Sequence, residues 1–180
     1  MGAGREISIS NVQYSISSFQ VNNRSQGKLD LLIYGYGNPG RQDDGLGVAL
    51  AEDLEEWARA EGLAGVAFDS NYQLNAEDAL AVAGARAVVF IDAAAKGEAP
   101  YEFRRLQAQK EIAFSTHAMT PESVLALAEE LYGEASPAWL LAIRGAGWEP
   151  NEPMTDAAQA NLAAAAVFLK EWIRRRATAP

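Results

Sequence analysis

Residues 29–47, with the sequence LDLLIYGYGNPGRQDDGLG, decide the fold of this chain. They begin with the mainly apolar run Leu29–Tyr34, which is typical of a parallel strand buried on both faces. The glycine-rich loop Gly35–Gly47 follows, and Val48–Ala60 then carries apolar residues at helical spacing. A strand, a glycine loop and a helix in this order predict the first βα unit of a parallel sheet.

The same alternation of strand and helix patterns continues along the chain. Further strands are predicted at Val66–Asp69, Ala87–Ile91 and Trp139–Ile143, and a half-exposed edge strand, expected to be antiparallel, at Tyr101–Leu106. Further helices are predicted at Ala76–Val82, from the Thr120-Pro121 start to Gly133, and from the Thr155-Asp156 start to Arg174–Arg176. The sequence therefore predicts a three-layer α/β/α sandwich whose mostly parallel sheet carries one antiparallel edge strand.

The length of 180 residues fits one domain. Residues 1–28 are rich in Ser, Asn and Gln, and their apolar residues alternate only in part. We expect them to form an N-terminal extension that is weakly ordered or adopts a strand-like arm. Residues 29–176 are expected to form a single α/β domain.

Composition and charge exclude several classes of function. The chain has 15 Lys and Arg against 24 Asp and Glu, a net charge of −9, no Cys and one His. An anionic surface disfavours nucleic acids and anionic membranes as partners, and the lack of Cys excludes thiol nucleophiles and disulfide scaffolds. No apolar run approaches the roughly 20 residues that span a bilayer. Residues 1–26 lack the basic head and apolar block of a secretory signal, so we expect a cytoplasmic protein without membrane contact.

Polar side chains collect where the predicted parallel strands end. Asp43 and Asp44 close the loop after the first strand, Asp69 ends the second, and Asp92 ends the third. His117, the sole imidazole, precedes the helix that starts at Thr120. Ligands of open α/β sheets bind beyond the carboxyl ends of the strands, so these residues are the candidates for chemistry.

Two interpretations of these residues remain open on the sequence alone. The spacing Gly35-x-Gly37-x-x-Gly40, with Asp69 as a ribose partner, matches a dinucleotide fingerprint. Against it, the carboxylates preceding the helix would oppose a pyrophosphate at the helix N-terminus. The other interpretation is a metal site, in which the two carboxylates Asp44 and Asp92 and one imidazole leave coordination positions open, as catalytic metals require.

At these same residues the chain resembles the [NiFe]-hydrogenase maturation endopeptidases. The resemblance rests on the glycine loop with its acid pair, residues 32–47, on Phe90-Ile91-Asp92-Ala93 and on Ser115-Thr116-His117-Ala118-Met119. It extends over about residues 29–173. It implies a three-layer α/β sandwich that removes the C-terminal peptide of a hydrogenase large-subunit precursor after nickel insertion.

The resemblance also implies roles for single residues. Catalysis and metal contact fall on Asp44, Asp92 and His117, and the nickel is expected to arrive with the substrate. Independently of the resemblance, we expect Gly37, Asn38 and Asp69 to contact the substrate, and Asp43 or Asp69 to orient a water molecule if it lies nearby. The segment Ser70-Asn71-Tyr72-Gln73-Leu74 stands where many members have a Gly-Gly-Thr turn, so it is a candidate for partner selection.

These expectations define a metal-dependent endopeptidase, acting as a monomer on the precursor. The sequence shows neither a Ser-His-Asp nucleophile elbow nor a two-His zinc motif, and an open Asp/Asp/His site suits a metal that arrives already bound to the substrate. Two alternatives remain: a non-catalytic nickel-site checkpoint or assembly chaperone for the same precursor, and a dinucleotide-binding module.

Overall fold

The apolar run of the quoted segment forms the centre of a sheet in a computed structural model that describes residues 28–108, 119–133 and 136–177. The described strands are β1 (Leu31–Tyr36), β2 (Val66–Asn71), β3 (Val88–Ala94), β4 (Tyr101–Arg105) and β5 (Ala138–Arg144). They form one sheet in the order β2-β1-β3-β5-β4. The first four in this order run parallel, and β4 pairs antiparallel with β5, which confirms the expected edge strand.

Helices cover both faces of this sheet. They are α1 (Leu46–Glu61), α2 (Asp78–Ala83), α3 (Pro121–Tyr132) and α4 (Asp156–Ala177). Alternate residues of each buried strand face opposite layers: Ile33 packs with α1 and α4, whereas Leu32 packs with α2 and α3. The three-layer α/β/α sandwich is therefore confirmed.

The helix ends follow the chemistry expected from the sequence. The Thr120 side chain accepts a hydrogen bond from the Ser123 N–H at 3.2 Å, Pro121 opens α3, and Gly133 ends it at a φ of +79°. Thr155 caps α4 in the same way, accepting from the Ala158 N–H at 3.2 Å. Such caps fix where each helix begins, and with it the direction in which the preceding loop enters.

All four parallel strands extend further than expected, and β5 spans Ala138–Arg144 instead of Trp139–Ile143. β1 ends at Tyr36, β2 at Asn71 and β3 at Ala94, each beyond the last residue of its apolar run. The reason is pairing: the parallel register continues through Tyr36 opposite Asn71 and through Ala94 opposite Arg144. Asp92 therefore lies within a strand and not in the loop after it. Of the expected domains, residues 1–27 lie outside the described residues, and the two-part division stays a prediction.

Candidate metal and active site

The candidate site lies at the carboxyl ends of β1 and β3. The chain leaves β1 toward β2 on one side, and β3 borders β1 on the other, so this is the point at which the strand order reverses. Open α/β sheets bind ligands in the crevice that forms there. Asp44 lies in the 3-10 turn Gln42–Gly45 that follows β1, and Asp92 lies in β3.

Two glycines allow α1 to begin directly against these strand ends. A methyl group on Gly47 would lie 2.4 Å from the carbonyl oxygens of both Ile91 and Tyr36. A methyl group on Gly35 would lie 2.2 Å from the carbonyl oxygen of Gly47. No side chain fits at either position, because real Cβ atoms do not approach so closely. This close packing brings the turn that carries Asp44 up to the end of β3.

The Asp43 carboxylate ties this turn to the loop between β5 and α4. It is fully buried and accepts from the Ala146 N–H at 2.7 Å, and from the Gly147 N–H, the Thr155 N–H and the Thr155 hydroxyl at 2.8 Å each. Burial alone raises the pKa of Asp43, but the hydrogen bonds from Ala146, Thr155 and Gly147 outweigh it and hold the pKa below its ordinary value. Asp43 therefore holds the loop in place, and the expectation that it orients a water molecule stays a prediction.

Asp44, in contrast, is only partly buried. Its Oδ2 accepts from the Asn38 N–H at 3.3 Å. The loop folds back on it at Gly37, whose φ is +135° and where a methyl group would lie 2.0 Å from the Asp44 carbonyl oxygen. Loop closure thus explains the glycine at position 37. The expectation that Gly37 and Asn38 also contact the substrate stays a prediction.

The Asp92 carboxyl has a raised pKa. Burial is the main cause and the negative charge of Asp44 a smaller one, and the net result is a pKa raised from 3.8 to about 6. Hydrogen bonds from the Tyr36 hydroxyl and from the Ala93 N–H, the latter at 2.8 Å, act in the opposite direction. Asp44 therefore lies near enough to Asp92 for its charge to contribute to the raised pKa, and the expectation that both bind one metal ion stays a prediction.

Asp69 lies one strand away, at the end of β2. Its Oδ1 accepts from the Ser70 N–H at 2.8 Å. The residue borders a cleft of about 420 Å³ between β2 and α1, which Gly37 also lines. Asp69 is thus placed beside a cleft that adjoins the carboxylate pair, and its expected contact with the substrate stays a prediction.

His117 lies outside the described residues, so its expected role stays a prediction. The description resumes at Met119, whose N–H donates to the Leu74 carbonyl oxygen at 3.2 Å. Within the described ranges, no three Asp, Glu or His side chains form a group that could hold a metal ion. The first turn of α3 nevertheless approaches the site, since the charge of Glu122 acts on Tyr36.

Sequence reasoning did not identify Tyr36. Its hydroxyl donates to Asp92, and burial and the charge of that carboxylate raise the pKa of Tyr36. The residue stands between two glycines of the quoted loop, where no pattern distinguishes a site residue from a packing residue. The only available signal was its position at the end of the first strand.

The geometry before α1 disfavours the dinucleotide interpretation. The 3-10 turn that leads into this helix carries two carboxylates, Asp43 and Asp44. A pyrophosphate needs free N–H groups and no competing anion at that helix end.

Comparison with solved structures identifies the fold. The chain is similar to HycI, a [NiFe] hydrogenase maturation protease from Thermococcus kodakarensis KOD1, with a TM-score of 0.63 at 24% identity over 83% of this chain and 95% of that one. The hydrogenase maturating endopeptidase HybD from E. coli gives 0.57 at 21%, covering 81% and 93%. The hydrogenase 2 maturation peptidase from a Thaumarchaeota archaeon gives 0.57 at 18%, covering 80% and 97%. The shared fold spans nearly the whole length of these enzymes.

The sequence comparisons add no closer relative: no protein-family profile and no curated protein matches the chain. Among the described helices, none combines the length and the apolar character needed to cross a membrane.

Proposed function

We propose that this chain is an endopeptidase that removes the C-terminal extension of a [NiFe]-hydrogenase large-subunit precursor after nickel has been inserted. The observation that carries the proposal is the electrostatically coupled pair of Asp44 and Asp92 at the switch point of the sheet. The similarity of fold to solved maturation proteases and the sequence motifs around both acids support it.

The donor set fits a nickel ion that the precursor carries. Asp44 and Asp92 supply carboxylate oxygens, and we propose His117, two residues before the described Met119, as the nitrogen ligand. The repulsion between the two acids favours a cation, because a dication placed between them removes that repulsion. When bound, the metal supplies Lewis-acid polarisation of the scissile carbonyl or of a water molecule.

The protein's own residues prepare the two carboxylates for this task. The Tyr36 hydroxyl and the Ala93 N–H fix the orientation of Asp92, and the Asn38 N–H fixes that of Asp44. Such partners set ligand geometry before the metal arrives. With a pKa of about 6, Asp92 is ionised and able to bind a cation at neutral pH, and becomes protonated under mildly acidic conditions.

The decisive experiment incubates the full chain with a nickel-loaded large-subunit precursor and follows the precursor mass by mass spectrometry. We expect the chain to shorten an excess of precursor, whereas a checkpoint or chaperone would leave the mass unchanged. Asp92→Asn, Asp44→Asn and His117→Ala should each slow processing by about 100-fold or more.

The matched control is Asp53→Asn. Asp53 lies on α1 and pairs with Lys170 at 2.7 Å, with 55% of its side chain exposed. This variant removes the same charge away from the site and should process normally. Full processing by Asp92→Asn, or an unshortened precursor after incubation with the wild-type chain, contradicts the proposal.

A further inference from the structure

The outer edge of β2 presents backbone groups that point away from the sheet. The Gly65 carbonyl accepts from two N–H groups before and in β1, and the Asn71 carbonyl accepts from the Gly37 N–H. Because backbone groups alternate sides along a strand, residues with odd numbers face β1. The N–H and C=O groups of Val66 and Phe68 and the C=O group of Ser70 therefore face outward, and in the described ranges no strand pairs with them. The Ser70 N–H donates to Asp69 Oδ1.

The two edges of the sheet differ in how they are protected. At the other edge, β4 follows Pro100 and exposes the charged side chains of Glu102 and Arg104. Proline and charge are the usual devices that keep a sheet edge from pairing with another chain. The outward-facing positions of β2 carry Val, Phe and Ser, which leave that edge able to accept a further strand.

The cleft of about 420 Å³ runs along this edge. Its walls come from α1, from β2 and from the glycine loop, and its apolar lining comprises Pro39, Val48, Ala51, Phe68 and Tyr72. The side chain of Tyr72 is exposed. An extended peptide on the β2 edge would direct every second side chain toward α1, and hence into this cleft.

The charges of the cleft specify the kind of peptide. Glu52, Glu55 and Asp69 line it, and none of its lining residues is basic. The Glu55 carboxylate forms an ion pair with Arg59 at 3.2 Å, whereas Glu52 has no ion pair among the described residues. Three carboxylates beside an apolar wall, on a chain of net charge −9, complement a lysine or arginine side chain with its long aliphatic stem.

The cleft adjoins the loop that carries Asp44. Gly37 lines the cleft and lies against the Asp44 backbone, and the next residue, Asn38, donates its N–H to the Asp44 carboxylate. A peptide strand lying along β2 toward its carboxyl end therefore reaches this loop.

We propose that the β2 edge and this cleft receive an extended, lysine- or arginine-containing segment of the precursor as an added strand of the sheet. This docking mode rests on the proposed function for the identity of the partner. Main-chain hydrogen bonds to Val66 and Phe68 supply affinity, and Glu52 with its neighbouring acids selects the positively charged side chain.

The test uses the full chain and a fluorescein-labelled synthetic peptide of the last 30 or so residues of the precursor, followed by fluorescence anisotropy. Glu52→Lys should weaken peptide binding by about five- to tenfold and raise the KM for the precursor. The control Glu56→Lys makes the same charge change on the same helix outside the cleft, and should stay within about twofold of wild type.

A second measurement examines strand addition directly. Two peptides are compared, one N-methylated at odd and the other at even positions. Only every second N–H of an added strand faces β2, so one set of methyl groups should weaken binding and the other should be tolerated. The proposal is overturned if Glu52→Lys and Glu56→Lys change peptide affinity equally, or if methylation at odd and at even positions does so. This holds even if the precursor is cleaved.

Two further outcomes distinguish this inference from a different occupant of the β2 edge and from the proposed function. If Ser70→Pro abolishes a concentration-dependent dimer in sedimentation velocity, the edge belongs to a second copy of this chain and the docking proposal is overturned. If the peptide binds with the expected charge and N-methyl pattern but no precursor is shortened, the docking surface stands and the endopeptidase proposal fails.

Discussion

Replacing Asp92 by Asn should make the fold more stable while it removes activity. Burial and the charge of Asp44 raise the pKa of Asp92 from 3.8 to about 6, so the ionised form is disfavoured in the folded state. Each pKa unit corresponds to about 1.4 kcal/mol, so ionisation at neutral pH costs the fold about 3 kcal/mol. The amide loses part of the hydrogen bonding from Tyr36 and Ala93, about 1–2 kcal/mol, which leaves a net gain of about 1–2 kcal/mol.

The sign of this effect gives it a distinctive pH dependence. Because the folded-state pKa is raised, the stability associated with Asp92 is fully present below the unfolded pKa and is lost as the pH rises through about 6. The free energy of unfolding of the variant should therefore exceed that of wild type most at pH 7.5, where Tm rises by about 2–8 °C. The part of this difference that comes from the Asp92 charge should shrink by roughly two thirds at pH 4.5.

Urea unfolding of wild type, Asp92→Asn and the surface control Asp53→Asn at both pH values measures this directly. The control should stay within about 0.5 kcal/mol of wild type throughout. An Asp92→Asn variant that is less stable than wild type at pH 7.5, or whose gain in stability does not depend on pH, would refute the raised pKa of Asp92.

Three further predictions concern the groups that hold the site. Asp43→Asn should lower the free energy of unfolding by about 2–4 kcal/mol, measured by urea titration, because four donors then lose their charged acceptor. Gly47→Ala should lower the free energy of unfolding by about 3 kcal/mol in the same assay. Gly62 has open space around it, so Gly62→Ala should lower it by only about 1 kcal/mol, because of the positive φ. Equal losses of stability would contradict the close packing at Gly47. Tyr36→Phe should remain folded by circular dichroism, slow precursor processing about tenfold, and move the acidic limb of the pH–rate profile to higher pH, since the hydroxyl lowers the pKa of Asp92; an unmoved profile would show that Tyr36 only packs.

Local signals were sufficient to predict the architecture. Hydroxyl caps at Thr120 and Thr155, stop glycines at Gly62 and Gly133, and apolar runs of strand length are properties of short segments. The extensions of β1 and β3 past their apolar runs could not be read in this way. They depend on pairing with neighbouring strands, as Ala94 does with Arg144, and the sequence of one strand does not reveal its partner's length.

The site was predictable only in part, for a related reason. Asp44 and Asp92 were proposed because parallel strands place their carboxyl ends at one edge; in the structure the charge of Asp44 acts on Asp92, and their role as site residues stays a prediction. Tyr36 was not identified, because its hydrogen bond to Asp92 joins two strands that are distant in sequence. The four hydrogen bonds of Asp43 come from residues more than 100 positions away, and a local sequence pattern cannot predict them.

Asp43 and Asp44 show why residue type alone could not assign these roles. The two are adjacent in one 3-10 turn, yet the first is fully buried among donors and the second is partly exposed beside another acid. Asp43, with its lowered pKa, stabilises the fold above its unfolded pKa, and that contribution is lost as the pH falls through the folded value. Asp92 behaves in the opposite way: burial and, to a smaller extent, the charge of Asp44 raise its pKa, so its ionisation destabilises the fold as the pH rises through about 6. We therefore expect the hydrogen bonds of Asp43 to stabilise the turn that carries Asp44 near Asp92, and so to compensate for part of this cost.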